Sequence, residues 1–271
     1  MNHEKDSSLD GTLKDKVEGE GDKKFVEVEA YLIRHGQQDH KAKVEKKSDK
    51  PLTPEGREQS RNFARKLVED NKGKGPIVIK INHSPVVRAD QTAEEIEHEL
   101  RRIVEEEQIS NIKILTTRSK DELNTSNIAG PMFKRGIPVE QMVDYWLEHG
   151  DEPEFTEFID EKDPSKKVPT PQEITKQIRD WVMRFDRLAK KIQQGADSGA
   201  LDPKSKYIYV WVTHDPSHGA ILQDVTGGKL LADLGGNIEH TEAIKIKTGG
   251  NPDKEPMLDF RGKEYKLNNE S

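Results

Sequence analysis

The 271-residue chain contains no cysteine. That excludes disulfide cross-links, thiolate-held metals and a cysteine nucleophile, and it leaves the compartment open. Aromatic residues make up only 6% and hydrophobic residues 31%, against 35% charged, with a mean hydropathy of -0.92. A chain this polar is expected to leave part of its length outside any core. No apolar run reaches membrane-spanning length, the most apolar stretch being the short YIYVWV at 207–212. The first residues also lack the apolar segment of a secretory signal, so a soluble, cytoplasmic protein is expected. A net charge of -7 argues against general nucleic-acid binding. No fixed-period repeat runs along the chain, which sets aside solenoids and propellers.

Residues 1–24 carry charges of both signs and almost nothing apolar, and the reading is a disordered acidic/basic tail ahead of one domain over 25–271. FVEVEAYLI (25–33) alternates and then becomes continuously apolar, as in a strand entering a covered sheet. Thr53-Pro54-Glu55 reads as an N-cap with proline at the first helical position, opening a helix with Phe63, Ala64, Leu67 and Val68 on one face. PIVIKINHS (76–84) is a second strand. Ser84-Pro85 reads as a second cap, before a helix carrying Ala89, Ala93, Ile96, Leu100, Ile103 and Val104. NIKIL (111–115) is a third strand. From about 118 to 170 periodicity weakens and prolines recur, as in an insertion. Thr170-Pro171-Gln172-Glu173 is then a capping box for an amphipathic helix. Its stripe runs Ile174, Ile178, Trp181, Val182, Phe185, Leu188 and Ile192, with Gly195 as the stop. KYIYVWVTH (206–214) is the most apolar strand, a short helix follows, and EAIKIKT (242–248) reads as an edge strand. Strands alternating with helices imply an α/β protein. The expected architecture is a three-layer α/β/α sandwich, with a mostly parallel central sheet and a lid-like inserted segment.

Ligands of such sheets bind beyond the carboxyl ends of the strands, so the polar residues at those ends matter most. Arg34, His35 and Gly36 follow the first strand; His83, Ser84, Pro85 and Arg88 follow the second; Thr213, His214 and Asp215 follow the most apolar one. A planar guanidinium binds two phosphoryl oxygens at once. A neutral imidazole can attack phosphorus, and a protonated one can donate to phosphate oxygens. Glycine beside the nucleophile permits close backbone approach. Arg34 and His35 alone would also fit an exposed polar turn. Arg88 in a helix's first turn is an unfavourable place for a cation unless an anion is near.

LIRHG (32–36), LTPEGREQ (52–59), SPVVRADQTAEEI (84–96) and VWVTHDPSHGAIL (210–222) occur in the order seen in the histidine phosphatase superfamily. The chain resembles the phosphoglycerate-mutase-like group over roughly 25–248. The resemblance implies that His35 is the nucleophile that becomes a phosphohistidine. It makes Arg34 and Arg88 the phosphate arginines, and His214 the second histidine on phosphate. His83 stands outside the family pattern and is a candidate phosphate contact on its position alone.

Cleavage of a phosphomonoester needs a proton for the leaving oxygen. In the mutase-like branch a glutamate after the third strand supplies it, which implies Glu122, with Asp121 beside it as an alternative alignment. The His214-Asp215 pair resembles instead the acid-phosphatase branch, where the aspartate is the donor; before Pro216 it also fits a helix cap. Gln37, Gln38, Asp39 and His40 depart from the run usual in the mutases, so phosphatase is the main reading. Mutase-type phosphoryl transfer and a non-catalytic phospho-ligand binder are its alternatives. The expected partner is a small phosphorylated molecule, with no nucleic acid, no membrane, no cofactor and no metal, since the nine histidines lack ligand spacing. The acidic stretch 148–163 reads as a solvated insertion or as a charge filter over the pocket.

Overall fold

Seven residues from Val28 to Arg34 form β1, with Ala30 and Leu32 turned to one core and Ile33 to another. This two-sided burial is what a covered sheet demands of its central strands. The computed structural model of the chain describes residues 25–44, 50–125, 128–158, 168–248, 251 and 254–267. The expected tail at 1–24 lies outside these described residues, as does the 159–163 part of the acidic stretch.

The other strands are β2 (Ile77–His83), β3 (Ile112–Ile114), β4 (Arg118–Ser119), β5 (Lys206–Thr213), β6 (Ala243–Thr248), β7 (Met257–Phe260) and β8 (Lys263–Lys266). They form one sheet in the order β3-β2-β5-β1-β6-β7-β8, with β4 pairing β2 near its end. The sheet is mixed. Neighbours from β3 to β1 pair in parallel, and each pairing from β1–β6 outward is antiparallel. The segment read as an edge strand is therefore interior: β6 is flanked by β1 and by the β7–β8 hairpin, which closes that side.

Helices cover both faces. On one face α1 (Pro54–Asn71) and α2 (Val87–Glu106) pack together, burying Ala64, Leu67, Ala93, Ile96 and Leu100 against Ile33, Ile81, Val210 and Val212. On the other, α6 (Pro171–Asp197) and α7 (Asp215–Val225) bury Ile178, Trp181, Phe185 and Ile221 against Leu32, Trp211 and Ile246. The segment between β4 and α6 holds α3 (Ala129–Lys134), α4 (Met142–His149) and α5 (Pro153–Thr156). Its Met132, Trp146 and Phe155 are fully buried in this same second core, and α4 packs on α7.

Helix ends follow local chemistry with two corrections. Thr53 caps α1 by accepting from the Gly56 amide, and Thr170 with Glu173 forms the capping box of α6. Ser84 does not cap α2: that helix begins at Val87, its N-cap Val86 makes no side-chain cap bond, and Ser84 is taken by the site described below. Gly195 does not stop α6, which runs to Asp197. A Cβ at that glycine would meet Leu201 Cδ1 at 2.8 Å, so close packing of the following loop accounts for it. Leu188, read into the buried stripe, is 37% exposed, and Ala189 is buried in its stead.

Candidate active site

The connection leaving β1 turns to the α1–α2 face, whereas the one leaving adjacent β5 turns to the α6–α7 face. Between two such strands a sheet opens a crevice at its carboxyl edge. The register makes the placement definite: Arg34 pairs with Thr213, so His35 and His214 are the next residues beyond two neighbouring strand ends. The His35 amide donates to the Thr213 carbonyl at 3.1 Å, and the Ser84 amide after β2 donates to Val212 at 3.0 Å. Three chain segments are thereby locked edge to edge.

The two imidazole rings lie 5.2 Å apart, centre to centre. Arg88, at the second position of α2, joins them. Its Nε donates to His35 Nε2 at 2.8 Å, and its Nη2 lies 3.2 Å from His214 Nδ1. A guanidinium only donates, so both ring nitrogens facing it carry lone pairs. The protons then sit on the opposite nitrogens. His35 Nδ1–H donates to the Gly36 carbonyl at 2.8 Å, and His214 Nε2–H donates to Ser84 Oγ at 3.0 Å. Burial, then Arg88, holds both imidazoles well below their ordinary pKa, so both rings are neutral at pH 7. The Arg88 guanidinium is only 9% exposed, and burial brings its pKa down to about 10, still cationic at neutral pH.

Arg34 approaches from β1. Its Nη1 donates to the Ile238 carbonyl at 2.5 Å, and its Nε stands 2.5 Å from Asp215 Oδ1 as an ion pair. The two paired atoms are buried and have no well-angled hydrogen bond, so charge rather than geometry holds them. Asp215 is the first residue of α7 and His214 its N-cap. Burial raises the Asp215 carboxyl above its ordinary value, against the downward pull of Arg34 and Arg88.

The glycine next to His35 is needed for packing against the chain itself. A Cβ on Gly36 would lie 2.4 Å from the Gly56 carbonyl oxygen, and one on Gly56 would lie 2.2 Å from that of Gln37. The Gly36 amide donates to Thr92 Oγ1 at 2.9 Å, and Thr92 donates to the Arg88 carbonyl at 2.7 Å. The His35–Gly36 loop, the start of α1 and the first turns of α2 are thus one hydrogen-bonded unit.

Arg34, His35, Arg88, His214 and Asp215 are brought together; among the described residues the side chains of His83 and Glu122 make no hydrogen bond or ion pair with them. His83 donates from Nδ1 to the Ser84 carbonyl at 2.9 Å and presents Nε2 to Asp90 at 3.5 Å. Glu122 lies in a 3-10 turn (Asp121–Leu123) tied to β5 by Thr213 Oγ1 donating to the Leu123 carbonyl at 2.9 Å. Its carbonyl accepts from Gln177, and it lines a 240 Å³ cavity with Glu173, Lys176 and Asp180 of α6. Asp121, in the same turn, is exposed.

Sequence reasoning missed Ser84 as a partner of His214, and it missed His218 and His240. His218 is fully buried one turn along α7, between the carbonyls of His214 (3.2 Å) and Leu32 (3.0 Å). Burial lowers its pKa to about 4, leaving one ring proton for two carbonyls at neutral pH. The His214–His218 spacing of four, one face of a helix, was the available signal. His240 precedes β6 and meets the His35 carbonyl at 3.2 Å; nothing local marks it. Among the described residues no cluster of His, Asp or Glu is arranged to hold a metal ion, and no helix is long and apolar enough to cross a membrane.

A family model described as "Histidine phosphatase superfamily (branch 1)" matches residues 30–118, which hold β1, α1, β2, α2 and β3. Among solved structures the fold is similar to a phosphoglycerate mutase from Bacillus anthracis str. Sterne. That pair is 16% identical with a TM-score of 0.52, over 88% of this chain and 94% of the other. It is also similar to a mycobacterial glucosyl-3-phosphoglycerate phosphatase, 15% identical with a TM-score of 0.50, over 86% and 97%. No curated protein sequence matches the chain. The matched segment carries Arg34, His35 and Arg88 into one crevice of this fold, and over residues 30–118 the chain is similar to the histidine phosphatase superfamily, branch 1.

Proposed function

We propose that the protein is a phosphatase that hydrolyses phosphomonoesters through a phosphohistidine on His35. The observation that carries this reading is the state of His35. It is a neutral imidazole whose Nε2 lone pair faces the Arg88 guanidinium, its other nitrogen is spent on a backbone carbonyl, and Arg34 and His214 stand beside it. A pure binder of phosphate would be served better by a charged donor than by a ring kept unprotonated.

Arg88 now donates to His35 Nε2. A phosphoryl group entering the site takes over that bond, which frees the lone pair for attack. Nε2 then bonds to phosphorus as the ester P–O bond breaks in line, with the equatorial oxygens held by Arg34 and Arg88, and by His214 once Arg88 has left it and its proton shifts to Nδ1, its Nε2 then accepting from the Ser84 hydroxyl. A carboxylic acid protonates the departing alcohol. In the second step water attacks phosphorus, the P–N bond breaks, and its proton returns to the carboxylate.

Two carboxyls are candidates for that acid. Asp215 is supported by its contact with Arg34 and its raised pKa, which favours the protonated form a donor needs. Glu122 is supported by its place in the turn that follows β4 and by the tie between that turn and β5. Leaving-group dependence separates them, because a poor leaving alcohol needs the proton and an activated phenol does not. The variant that slows alkyl phosphates far more than activated aryl phosphates, Glu122→Gln or Asp215→Asn, identifies the donor. His35→Ala should abolish turnover of both classes with the fold retained; substantial residual turnover in that variant would exclude the phosphohistidine route.

A further inference from the structure

His240 takes no part in the steps above, yet its ring centre lies 6.1 Å from that of His35. The turn that carries it is tightly held. The Thr241 amide donates to the Arg34 carbonyl at 3.0 Å, and the Arg34 amide to the Glu242 carbonyl at 3.2 Å. Thr241 itself has φ +62°, a left-handed conformation that a β-branched residue adopts only when its surroundings impose it. The Ile238 carbonyl two residues earlier fixes Arg34. His240 is thus positioned by the same backbone that positions the nucleophile and its arginine.

Its chemistry differs from that of its neighbours. Nδ1 faces the His35 carbonyl at 3.2 Å; a carbonyl only accepts, so Nδ1 carries the proton and Nε2 the lone pair. Burial, then Arg34, lowers the ring's pKa to about 4, so this tautomer prevails at neutral pH. Nε2 has no protein partner among the described residues, and the side chain keeps partial exposure. Around it Arg34 and Arg88 only donate, the His214 nitrogens face Arg88 and Ser84, and Asp215 is paired with Arg34. The free Nε2 of His240 is therefore an acceptor beside donors, of no use to a phosphate dianion.

We propose that His240 is a specificity residue: its Nε2 accepts a hydrogen bond from a hydroxyl or ammonium group on the leaving alcohol. The preferred substrates are then phosphomonoesters bearing such a donor close to the ester oxygen. This deepens the phosphatase reading and rests on it only for the identity of the pocket.

Phosphonates test it without turnover, since their P–C bond is not cleaved. By isothermal titration calorimetry, 2-hydroxyethylphosphonate should bind the wild-type protein about threefold to tenfold more tightly than ethylphosphonate, the worth of one neutral hydrogen bond. His240→Ala and His240→Phe should bind the two phosphonates equally, while keeping wild-type affinity for inorganic phosphate. No preference in the wild type, or the same preference in both variants, would overturn the assignment. So would an equal loss of affinity for inorganic phosphate and both phosphonates, which would make His240 a support for the His35 backbone. Failure of the wild type to hydrolyse any phosphomonoester would count against the phosphatase reading, and the phosphonate comparison would still be readable.

Discussion

Arg88 donates to both imidazoles from the first turn of α2, and its side chain is nearly buried. A buried cation beside two neutral rings is costly unless an anion is its intended partner. Removing it should therefore cost anion affinity before anything else. Arg88→Ala is expected to weaken inhibition by inorganic phosphate about tenfold to a hundredfold, the worth of one charge-assisted hydrogen bond. An unchanged inhibition constant would place Arg88 outside the phosphate site. At this scale the sequence marked positions rather than roles. Arg34, His35 and His214 stand where an apolar run stops and Arg88 in the first turn of the helix after β2, and the structure brings the four together. The bonds of Ser84 and His240 were not legible, because their partners lie 130 and 205 positions away along the chain.

Among the elements, the β7–β8 hairpin supports the site most directly and was the least visible beforehand. Its two-residue turn, Arg261-Gly262, has φ +51° and +74°, the double left-handed geometry that tight hairpins require. The usual Asn-Gly or Asp-Gly signal is replaced by arginine, and the flanking MLDF and KEYK are short and half polar. Local pattern had little to register. The arginine has a reason to be there. Its five N–H groups donate to the Leu234, Gly236 and Asn237 carbonyls and to both oxygens of Glu242, over 2.7–3.2 Å. It thereby clamps the loop whose Ile238 carbonyl holds Arg34. Lysine cannot make that set of bonds. Arg261→Lys should raise KM about tenfold with a smaller effect on kcat, because a misplaced Arg34 binds the phosphoryl group less well. Steady-state kinetics on an aryl phosphate reads this directly, and an unchanged KM would reduce the clamp to a purely structural one. By contrast the central elements were legible. β1, β2, β5, α1 and α6 follow from apolar periodicity and caps, since burial on both faces leaves no other pattern open to them.

The whole molecule joins two cores across one sheet, and the α1–α2 side is tied by charge as well as by packing. Glu99, 2% exposed, accepts from Arg65 at 2.6 Å and from Arg102 at 2.8 and 2.9 Å. Arg102 above all holds its carboxyl down at about 2. A folded-state pKa below the unfolded value near 4.5 means the unfolded chain binds more protons in between. The stabilisation is therefore complete above pH 4.5 and is lost as pH falls towards 2. Glu99→Gln should melt well below the wild type at pH 7, by about 1–3 kcal/mol given the exposure of both arginines. The two melting curves should converge towards pH 2; a constant gap would show that packing, not charge, is what the substitution removes. Across this frame the fold sets the ends of β1, β2 and β5 side by side, and the central claim is that the result is a nucleophilic histidine. Rapid acid-free quenching after brief exposure to an aryl phosphate, followed by peptide mass spectrometry, tests that claim most directly. The account predicts a phosphoramidate on His35 that is absent from His35→Ala. Turnover with no label on His35, or a label on any other residue, would contradict it.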